Sequence, residues 1–304
     1  MKRIKLVLLA CAAILSFGFF SQSASAADDK PEYKIAISPS IDDLEELKPG
    51  TQRTGSFKVF NEGTKDFEYE ISFAPYSVKT ESYEPSFTEE NQYTDLQKWI
   101  TVDAAEGNIA AGGEKVINYT VEVPEVFHGG MQSAAILVTM RNSQEQSGNI
   151  SAIRQIAYIL FGNVDGEITK TGQVLENKVP SFLFNPPIIG TSLVENTGNV
   201  YTRATYKLQV FPLFSDEEVY TNEETPDNSI IFPETKRYNE IKWDGAPQLG
   251  IFRVRQTVAI FDSESVEEKL VFLCPLWFLF VAILLIFLII FWIVSRIFKR
   301  KREA

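Results

Sequence analysis

Hydrophobic and polar residues alternate along most of the chain between residues 27 and 269. Four segments show the alternation most clearly, with apolar members Phe67, Tyr69, Ile71 and Phe73; Ile117, Tyr119, Val121 and Val123; Ile136, Val138 and Met140; and Tyr206, Leu208 and Val210. A period of two places successive side chains on opposite faces of a strand. The pattern therefore predicts strands that bury one face.

Turn-forming residues separate these segments, at Pro49-Gly50, Asn61-Glu62-Gly63, Gly112-Gly113, His128-Gly129-Gly130, Asn196-Thr197-Gly198-Asn199 and Asp244-Gly245. Short strands at this spacing are typical of antiparallel β-sandwiches. Residues 89–98 are expected to form one short helical turn that leads into Trp99. No long amphipathic helix is predicted in this part of the chain.

The two halves of this region carry a weak repeat. A predicted strand ends in Asn61-Glu62-Gly63 in the first half and in Asn196-Thr197-Gly198 in the second, and a new alternating strand follows each. We therefore predict an all-β fold with two tandem immunoglobulin-like β-sandwich domains and one C-terminal transmembrane α-helix. The domains are placed at residues 27–172 and 173–269, with the boundary in the polar stretch 166–178.

A run of 25 residues without a charge, residues 270–294, follows the second predicted domain. About 20 apolar residues suffice for a helix to cross a bilayer. We predict a transmembrane segment at 270–294, with the helix itself from Pro275 to about Val294; a buried core helix is the alternative. Acidic residues precede the run and Lys299 to Arg302 follow it, so the positive-inside rule puts the tail, 295–304, in the cytoplasm.

The first 26 residues are typical of a signal peptide, with a basic start, an apolar stretch and Ala24-Ser25-Ala26 as a cleavage site. An uncleaved anchor or a lipid attached at Cys11 are the alternatives. No LPxTG-type pentapeptide of a wall-sorting signal precedes the apolar run. We expect a single-pass protein of the plasma membrane, with its N-terminus outside, that remains in the lipid bilayer.

The net charge of −11 divides unevenly along the chain. The predicted signal peptide has a net charge of +3 and the tail after Val294 one of +4, which leaves −18 for the region between them. An acidic body repels phosphates, so nucleic acid is not an expected partner.

The chain has one histidine, His128, and two cysteines, Cys11 and Cys274. These counts argue against His/Cys metal sites, Ser-His-Asp triads and Cys-His nucleophile pairs. We predict no catalytic, cofactor-binding or metal-binding residues and no enzymatic activity, and the ligand-binding residues stay unassigned. His128 is predicted to be an exposed turn residue, and Trp99 and Trp243 to be core anchors, with ligand stacking as the alternative.

Carboxylate chemistry is the one class that these counts leave open. Acidic clusters occur at Asp42-Asp43 with Glu45-Glu46, Glu89-Glu90, Asp216-Glu217-Glu218 and Glu223-Glu224. We predict that these acidic clusters lie in solvated loops. A calcium site and a glycosidase carboxylate pair are the alternatives.

Several short motifs together carry a family resemblance: Ile37-Ser38-Pro39-Ser40, Lys48-Pro49-Gly50, Val59-x-Asn61, Trp99-Ile100, Gly112-Gly113-Glu114, Val121-Glu122-Val123-Pro124, Gly129-Gly130 and Ala134-Ala135-Ile136. The first domain resembles the N-terminal domain of the WxL-interacting family of Gram-positive surface proteins. The second half, with residues 195–200, Pro233-x-x-Lys236-Arg237 and Trp243 followed by Gly250, resembles bacterial membrane-anchored immunoglobulin-like domains. The resemblance implies a surface anchor whose first domain binds peptidoglycan and whose second holds a secreted surface protein.

The expected function is that of a non-enzymatic cell-surface protein. Its immunoglobulin-like domains would bind wall polymer or another surface protein, while the span fixes their height above the membrane. The alternatives are an accessory subunit of a membrane protein complex and a surface hydrolase.

Overall fold

The computed structural model describes residues 33–80, 83–141, 154–226 and 229–302. The predicted signal peptide, with Cys11, and the last two residues of the tail lie outside these ranges. The described chain is mostly β-structure, with one short 3₁₀ turn and one long C-terminal helix.

The first sandwich contains eleven strands: β1 Ile35–Ser38, β2 Ile41–Leu47, β3 Gln52–Asn61, β4 Phe67–Pro75, β5 Ser77–Val78, β6 Pro85–Ser86, β7 Ile100–Val102, β8 Glu106–Ile109, β9 Glu114–Glu122, β10 Gly130–Met140 and β11 Arg154–Val164. One sheet has the order β1-β3-β9-β7 and the other β2-β11-β10-β4-β8, while β5 and β6 form a separate small hairpin. The predicted helical turn is present as a 3₁₀ turn at Asp95–Lys98, directly before Trp99.

The second sandwich contains ten strands: β12 Gly172–Lys178, β13 Phe182–Leu183, β14 Ile188–Asn196, β15 Thr202–Arg203, β16 Thr205–Pro212, β17 Tyr220–Glu224, β18 Ile230–Ile231, β19 Thr235–Trp243, β20 Gly250–Ile260 and β21 Ser263–Leu273. Its sheets have the orders β12-β14-β19 and β13-β21-β20-β16-β17, and β15 pairs with β18. The fold is therefore two tandem immunoglobulin-like β-sandwiches, as predicted.

Each sandwich begins with a strand that changes sheets. In the first, β1 pairs with β3, and after Pro39 the chain crosses to the other sheet, where β2 runs parallel to the last strand, β11. In the second, β12 pairs with β14, and after Pro180 β13 runs parallel to the last strand, β21. Proline suits such a break because it cannot donate a ladder hydrogen bond.

The weak sequence repeat corresponds to a repeated hydrogen-bonded turn. Asn61 is buried at the end of β3, where its amide donates to the carbonyls of Lys65 and Ile109 and its side-chain oxygen accepts from the Gly63 amide. Asn196 makes the equivalent three bonds, to Val200, Ile231 and Gly198. In both places the side chain satisfies main-chain groups that the turn removes from the sheet.

Two separate cores lie between the sheets. In the first, the rings of Phe57 and Tyr158 stack at a centroid distance of 4.4 Å. The second is built mainly from aliphatic residues of β14, β16, β20 and β21. Trp99 and Trp243 are each partly buried against one of these cores, and Trp99 meets Phe127 edge to face at 5.1 Å. Both tryptophans thus lie where core anchors were predicted.

The apolar run 270–294 is divided between two elements, which differs from its prediction as one span. Val271 and Leu273 belong to β21 and are buried in the second core, while the helix α1 begins at Leu276 and extends to Arg302. Residues 270–273 pair with Arg253 to Gly250 of β20, and this long-range pairing decides their structure. Residues 276–294 of α1 have a mean hydropathy of 3.2 and are not covered by the rest of the described chain, so this helix is long and apolar enough to cross a membrane.

Candidate functional site

The two sandwiches meet in a small core of their own. Residues 165–171 connect β11 to β12, and beside this connection Met131 and Phe161 of the first sandwich are buried against Phe232 of the second. The Phe161 ring lies 5.9 Å from the Phe232 ring and meets the Tyr201 ring edge to face at 5.0 Å. We call this contact the interdomain junction.

Glycines allow the two main chains to approach each other at the junction. Gly130 has φ +106°, and a Cβ at this position would lie 2.9 Å from the Asn199 carbonyl oxygen. The next residue, Met131, donates its amide hydrogen to that same oxygen at 2.7 Å. Gly129, with φ +94°, touches Gly166 of the connection in the same way. Any larger residue at these positions would push the sandwiches apart.

His128 adjoins these glycines, and its side chain is exposed, as expected for a turn residue. Its carbonyl accepts a hydrogen bond from the Glu167 amide at 2.7 Å. The turn that the sequence pattern predicted between two strands is therefore also a contact with the connection between the sandwiches.

One side of the junction is held by the acidic strand β2. Asp43 accepts a hydrogen bond from the Tyr201 hydroxyl and lies 3.5 Å from the Arg203 guanidinium, both in the second sandwich. Its neighbour Asp42 accepts from the hydroxyls of Tyr119 and Tyr158 in the first sandwich. The prediction that these two carboxylates lie in a solvated loop is wrong, because both are hydrogen-bonded members of a strand.

These contacts also fix the protonation of Tyr201. Burial, and then the adjacent Asp43 carboxylate, raise the pKa of Tyr201 above its usual value. The phenol therefore stays neutral and donates to Asp43 throughout the physiological pH range.

The other side of the junction is held by Tyr83. Its hydroxyl is 2.9 Å from Thr235 Oγ1 and accepts a hydrogen bond from the Phe232 amide at 3.0 Å. The guanidinium of Arg237 lies 4.2 Å from the centre of the Tyr83 ring, within the range of a cation–π contact. Burial raises the pKa of Tyr83, which keeps the phenol available as a donor to Thr235.

A second contact lies beside Tyr83. The Glu234 carboxylate accepts from Gln92 Nε2 at 3.0 Å and from the Tyr93 hydroxyl at 3.1 Å. Burial and the charge of Glu234 raise the pKa of Tyr93 to about 12. Hydrogen bonds on both flanks and an aromatic centre therefore join the sandwiches into one body.

The depressions along the junction are small. One, of about 90 Å³, lies between Ile41, Tyr83 and Phe232, and another, of about 40 Å³, lies between Tyr76, Tyr93 and Pro233. Small-molecule sites usually enclose roughly 300–1,000 Å³. Both depressions are well below that range.

A wider, open depression of about 480 Å³ lies on the first sandwich, next to β8. Glu68, Glu106 and Arg141 line it, and Arg141 is paired with Glu70 at 2.9 Å and with Glu106 at 3.6 Å. Arg141 is the one cation of this lining and already pairs with two carboxylates, so the depression has a net negative charge and is open to solvent.

The remaining acidic clusters do not converge on one point. Asp216 is paired with Arg253, and Glu223 with Lys207 at 2.9 Å. Within the described residues there is no group of three or more His, Cys, Asp or Glu side chains that could hold a metal ion.

Sequence reasoning did not find the junction residues. Tyr83, Thr235, Asp43 and Tyr201 contact partners more than 140 positions away, so no local spacing reveals them. The one local signal was the glycine pair at 129–130, which was interpreted only as a turn.

No family model matches this chain, and no curated protein matches it. Among solved structures it is similar to the class 5 fimbriae chaperone CfaA, with 14% identity over 78% of this chain and 99% of that one and a TM-score of 0.39. It is also similar to the E. coli chaperone DraB, with 11% identity over 79% of this chain and 97% of that one and a TM-score of 0.35. A PapD-like domain of human CEP192 matches 44% of this chain and 86% of that one, at 15% identity and a TM-score of 0.30. Identities and TM-scores this low carry no inference about what this chain binds.

Proposed function

We propose that the protein is a non-enzymatic, single-pass surface protein that presents two immunoglobulin-like sandwiches outside the plasma membrane to bind wall polymer or another surface protein. The observation that carries the proposal is the direct passage of β21 into α1. Only Cys274 and Pro275 separate the last buried strand residue, Leu273, from the apolar helix.

So short a connection leaves the second sandwich little freedom relative to the helix. The interdomain junction passes this restraint on to the first sandwich, because its contacts join the two into one body. A protein built in this way holds its outer domain at a set height above the membrane, which suits display and binding.

Membrane insertion and orientation can be tested first. Residues 1–304 expressed in a bacterial host should stay in the membrane pellet after alkaline carbonate washing. Protease added to intact protoplasts should degrade the sandwiches and leave a small C-terminal fragment that contains α1. Release by carbonate, or protection of the sandwiches in intact protoplasts, would contradict the proposal.

Ligand binding is tested with the ectodomain, residues 27–273, as one piece. Sedimentation with purified peptidoglycan measures wall binding, and crosslinking on intact cells measures contact with surface proteins. In the full chain, crosslinks that form only through α1 would instead favour an accessory subunit of a membrane complex. An ectodomain that neither sediments with peptidoglycan nor crosslinks to a surface protein would overturn the binding role.

We further propose that the chain belongs to the WxL-interacting family. Support comes from the motifs that carry the resemblance and from the order of two β-sandwiches and an apolar C-terminal helix. A specific test is whether secreted proteins with WxL repeats, added in purified form, bind the ectodomain.

A further inference from the structure

One end of the second sandwich faces the helix α1. Strand β21 runs toward α1, and the register places the start of β20 and the end of β16 at the same end, since Gly250 pairs with Leu273 and Pro212 with Phe252. The parallel strand β13 also ends there, because Leu183 lies beside Leu273.

Exposed apolar side chains concentrate at this end. Six of them form what we call the helix-proximal collar: Phe182, Phe184, Phe214, Leu249, Ile251 and Phe272. Phe214, in the turn between β16 and β17, is 96% exposed, and Phe184 and Phe272 are 44% and 43% exposed. All the exposed phenylalanines of the described part of the second sandwich are in the collar.

The collar is continuous across three strands. Phe182, Phe272 and Ile251 are cross-strand neighbours on the outer face of one sheet. Phe184 and Leu249 each lie one residue beyond a partner of Leu273, which puts them level with Cys274. An exposed surface of this kind marks an interaction site more often than an accident of packing.

The short distance between the collar and α1 indicates that the interfacial layer of a bilayer covers the collar. Residues 276–294 of α1 span about 28 Å at 1.5 Å per residue, which matches the hydrocarbon thickness of a bilayer. The hydrocarbon boundary then falls near Leu276, and residues level with Cys274 lie at most about 7 Å of chain from it. That distance is the thickness of one interfacial layer, about 5–8 Å.

Charges begin immediately beyond the collar on the same face. Arg253 and Arg255 follow Ile251 at every second position of β20, and they pair with Asp216 and Glu268. The change from apolar to paired charged residues resembles the boundary between a membrane interface and water. Because Asp216, Glu217 and Glu218 follow Phe214 closely in the chain, we expect the attraction to come from apolar contact rather than from anionic lipid.

We propose that the helix-proximal collar inserts into the interfacial layer of the bilayer that α1 spans, so that the second sandwich rests directly on the lipid. This inference rests on the proposed membrane insertion of α1. It assigns a lipid-binding surface to the β-sandwich itself, in addition to the helix.

The test uses residues 27–304 in phosphatidylcholine liposomes with Cys274→Ser, so that one new cysteine at a time carries an environment-sensitive fluorophore. Collar positions are Phe214→Cys and Phe272→Cys. Val266→Cys is the matched control for Phe272, since it is exposed on the same face of β21 and lies about 20 Å further from the helix. Val126→Cys, in an exposed turn of the first sandwich, is the control for Phe214.

Labels at 214 and 272 should shift their emission to the blue on reconstitution and lose most of their fluorescence to nitroxide-bearing lipids. Labels at 266 and 126 should respond to aqueous iodide only. Adding anionic lipid should leave this pattern unchanged. Because Phe214 is almost fully exposed, its replacement removes almost no buried surface, and the result at this position decides the matter even if a strand variant fails to fold.

Collar labels as open to iodide as the controls, in protein that resists carbonate extraction, would overturn the inference and leave the proposed function intact. Collar labels shielded from iodide but not quenched by lipid nitroxides would also overturn it, since a protein would then cover the collar. Release of the whole protein by carbonate would show that the proposed membrane insertion had failed.

Discussion

Asn61 and Asn196 show how one residue type solves the same problem twice. Each is buried at the end of a strand and makes three hydrogen bonds to main-chain groups. The short pattern Asn-x-Gly predicted a turn at both places, but the partners Ile109 and Ile231 are 48 and 35 positions away. Spacing along the chain therefore indicated the turn and could not indicate its long-range bond.

Replacing Asn196 with alanine leaves two buried carbonyls and one amide without their partner. Because each unsatisfied buried group costs about 1–3 kcal/mol, we expect Asn196→Ala to lower the free energy of unfolding by roughly 3 kcal/mol or more. Urea denaturation of the ectodomain measures the change. Asn108→Ala, at an exposed position of β8, is the control and should have little effect; equal losses in the two variants would contradict the role of the turn.

Tyr206 gives a pH dependence with a defined sign. Burial raises its pKa to about 12, whereas the unfolded chain keeps a value of about 10. The stability that the folded protein gains from the neutral Tyr206 phenol is complete below pH 10. It is lost as the pH rises toward 12, because only the unfolded state then releases the proton readily. Between pH 8 and pH 11, we expect the free energy of unfolding of the Tyr206→Phe variant to fall by about 1 kcal/mol less than that of the unsubstituted protein.

Urea denaturation of both proteins at the two pH values checks this expectation. Phenylalanine keeps the ring in the core, so the comparison isolates the hydroxyl. An identical fall in stability for both proteins would show that Tyr206 ionises as easily in the folded state as in the unfolded one.

At the scale of elements, alternation predicted most strands because apolar residues recur on the face that packs against the core. It succeeded for β4, β9, β10 and β16, where apolar residues recur at every second position. It failed at residues 270–273, where the apolar face of a strand continues without a break into an apolar helix. Composition does not distinguish the two, and only the pairing of β21 with β20 does so.

The assignment of residues 270–273 to a strand can be tested by substituting two adjacent residues. Leu273 is almost fully buried in the second core, while Phe272 points outward. In a chain of residues 27–275, which keeps the Cys274 amide bond to the Leu183 carbonyl, Leu273→Ala should lower the free energy of unfolding by about 2–5 kcal/mol, as expected for a core leucine, and Phe272→Ala should change it little. If residues 270–273 were helical instead, the two substitutions would have similar, small effects.

At the scale of the whole molecule, two sandwiches could be predicted from the repeat, but their mutual arrangement could not. The junction depends on contacts such as Tyr83 with Thr235 and Asp43 with Tyr201, which follow only from the folded domains. Gly129 and Gly130 were the one sequence feature that could have indicated the junction, and a turn was sufficient to explain both glycines.

Gly130→Ala should weaken the junction, because its Cβ would meet the Asn199 carbonyl oxygen at 2.9 Å. Gly112→Ala is the matched control, since Gly112 also has positive φ but has open space around it. We expect the Gly130 variant to be less stable than the control by about 1–3 kcal/mol. Small-angle X-ray scattering should show a more extended ectodomain for Gly130→Ala alone, and an unchanged profile would count against the close approach.

The parallel pairing of β13 with β21 has a mechanical consequence. The chain enters the second sandwich at the end far from α1 and leaves it at the near end, so a partner that pulls on the first sandwich draws these two strands in opposite directions along their length. The Ser181 carbonyl to Phe272 amide bond and the Leu183 carbonyl to Cys274 amide bond are then loaded together, in shear, instead of opening one after another. In the proposed role, this arrangement would resist tension between the membrane and a bound partner.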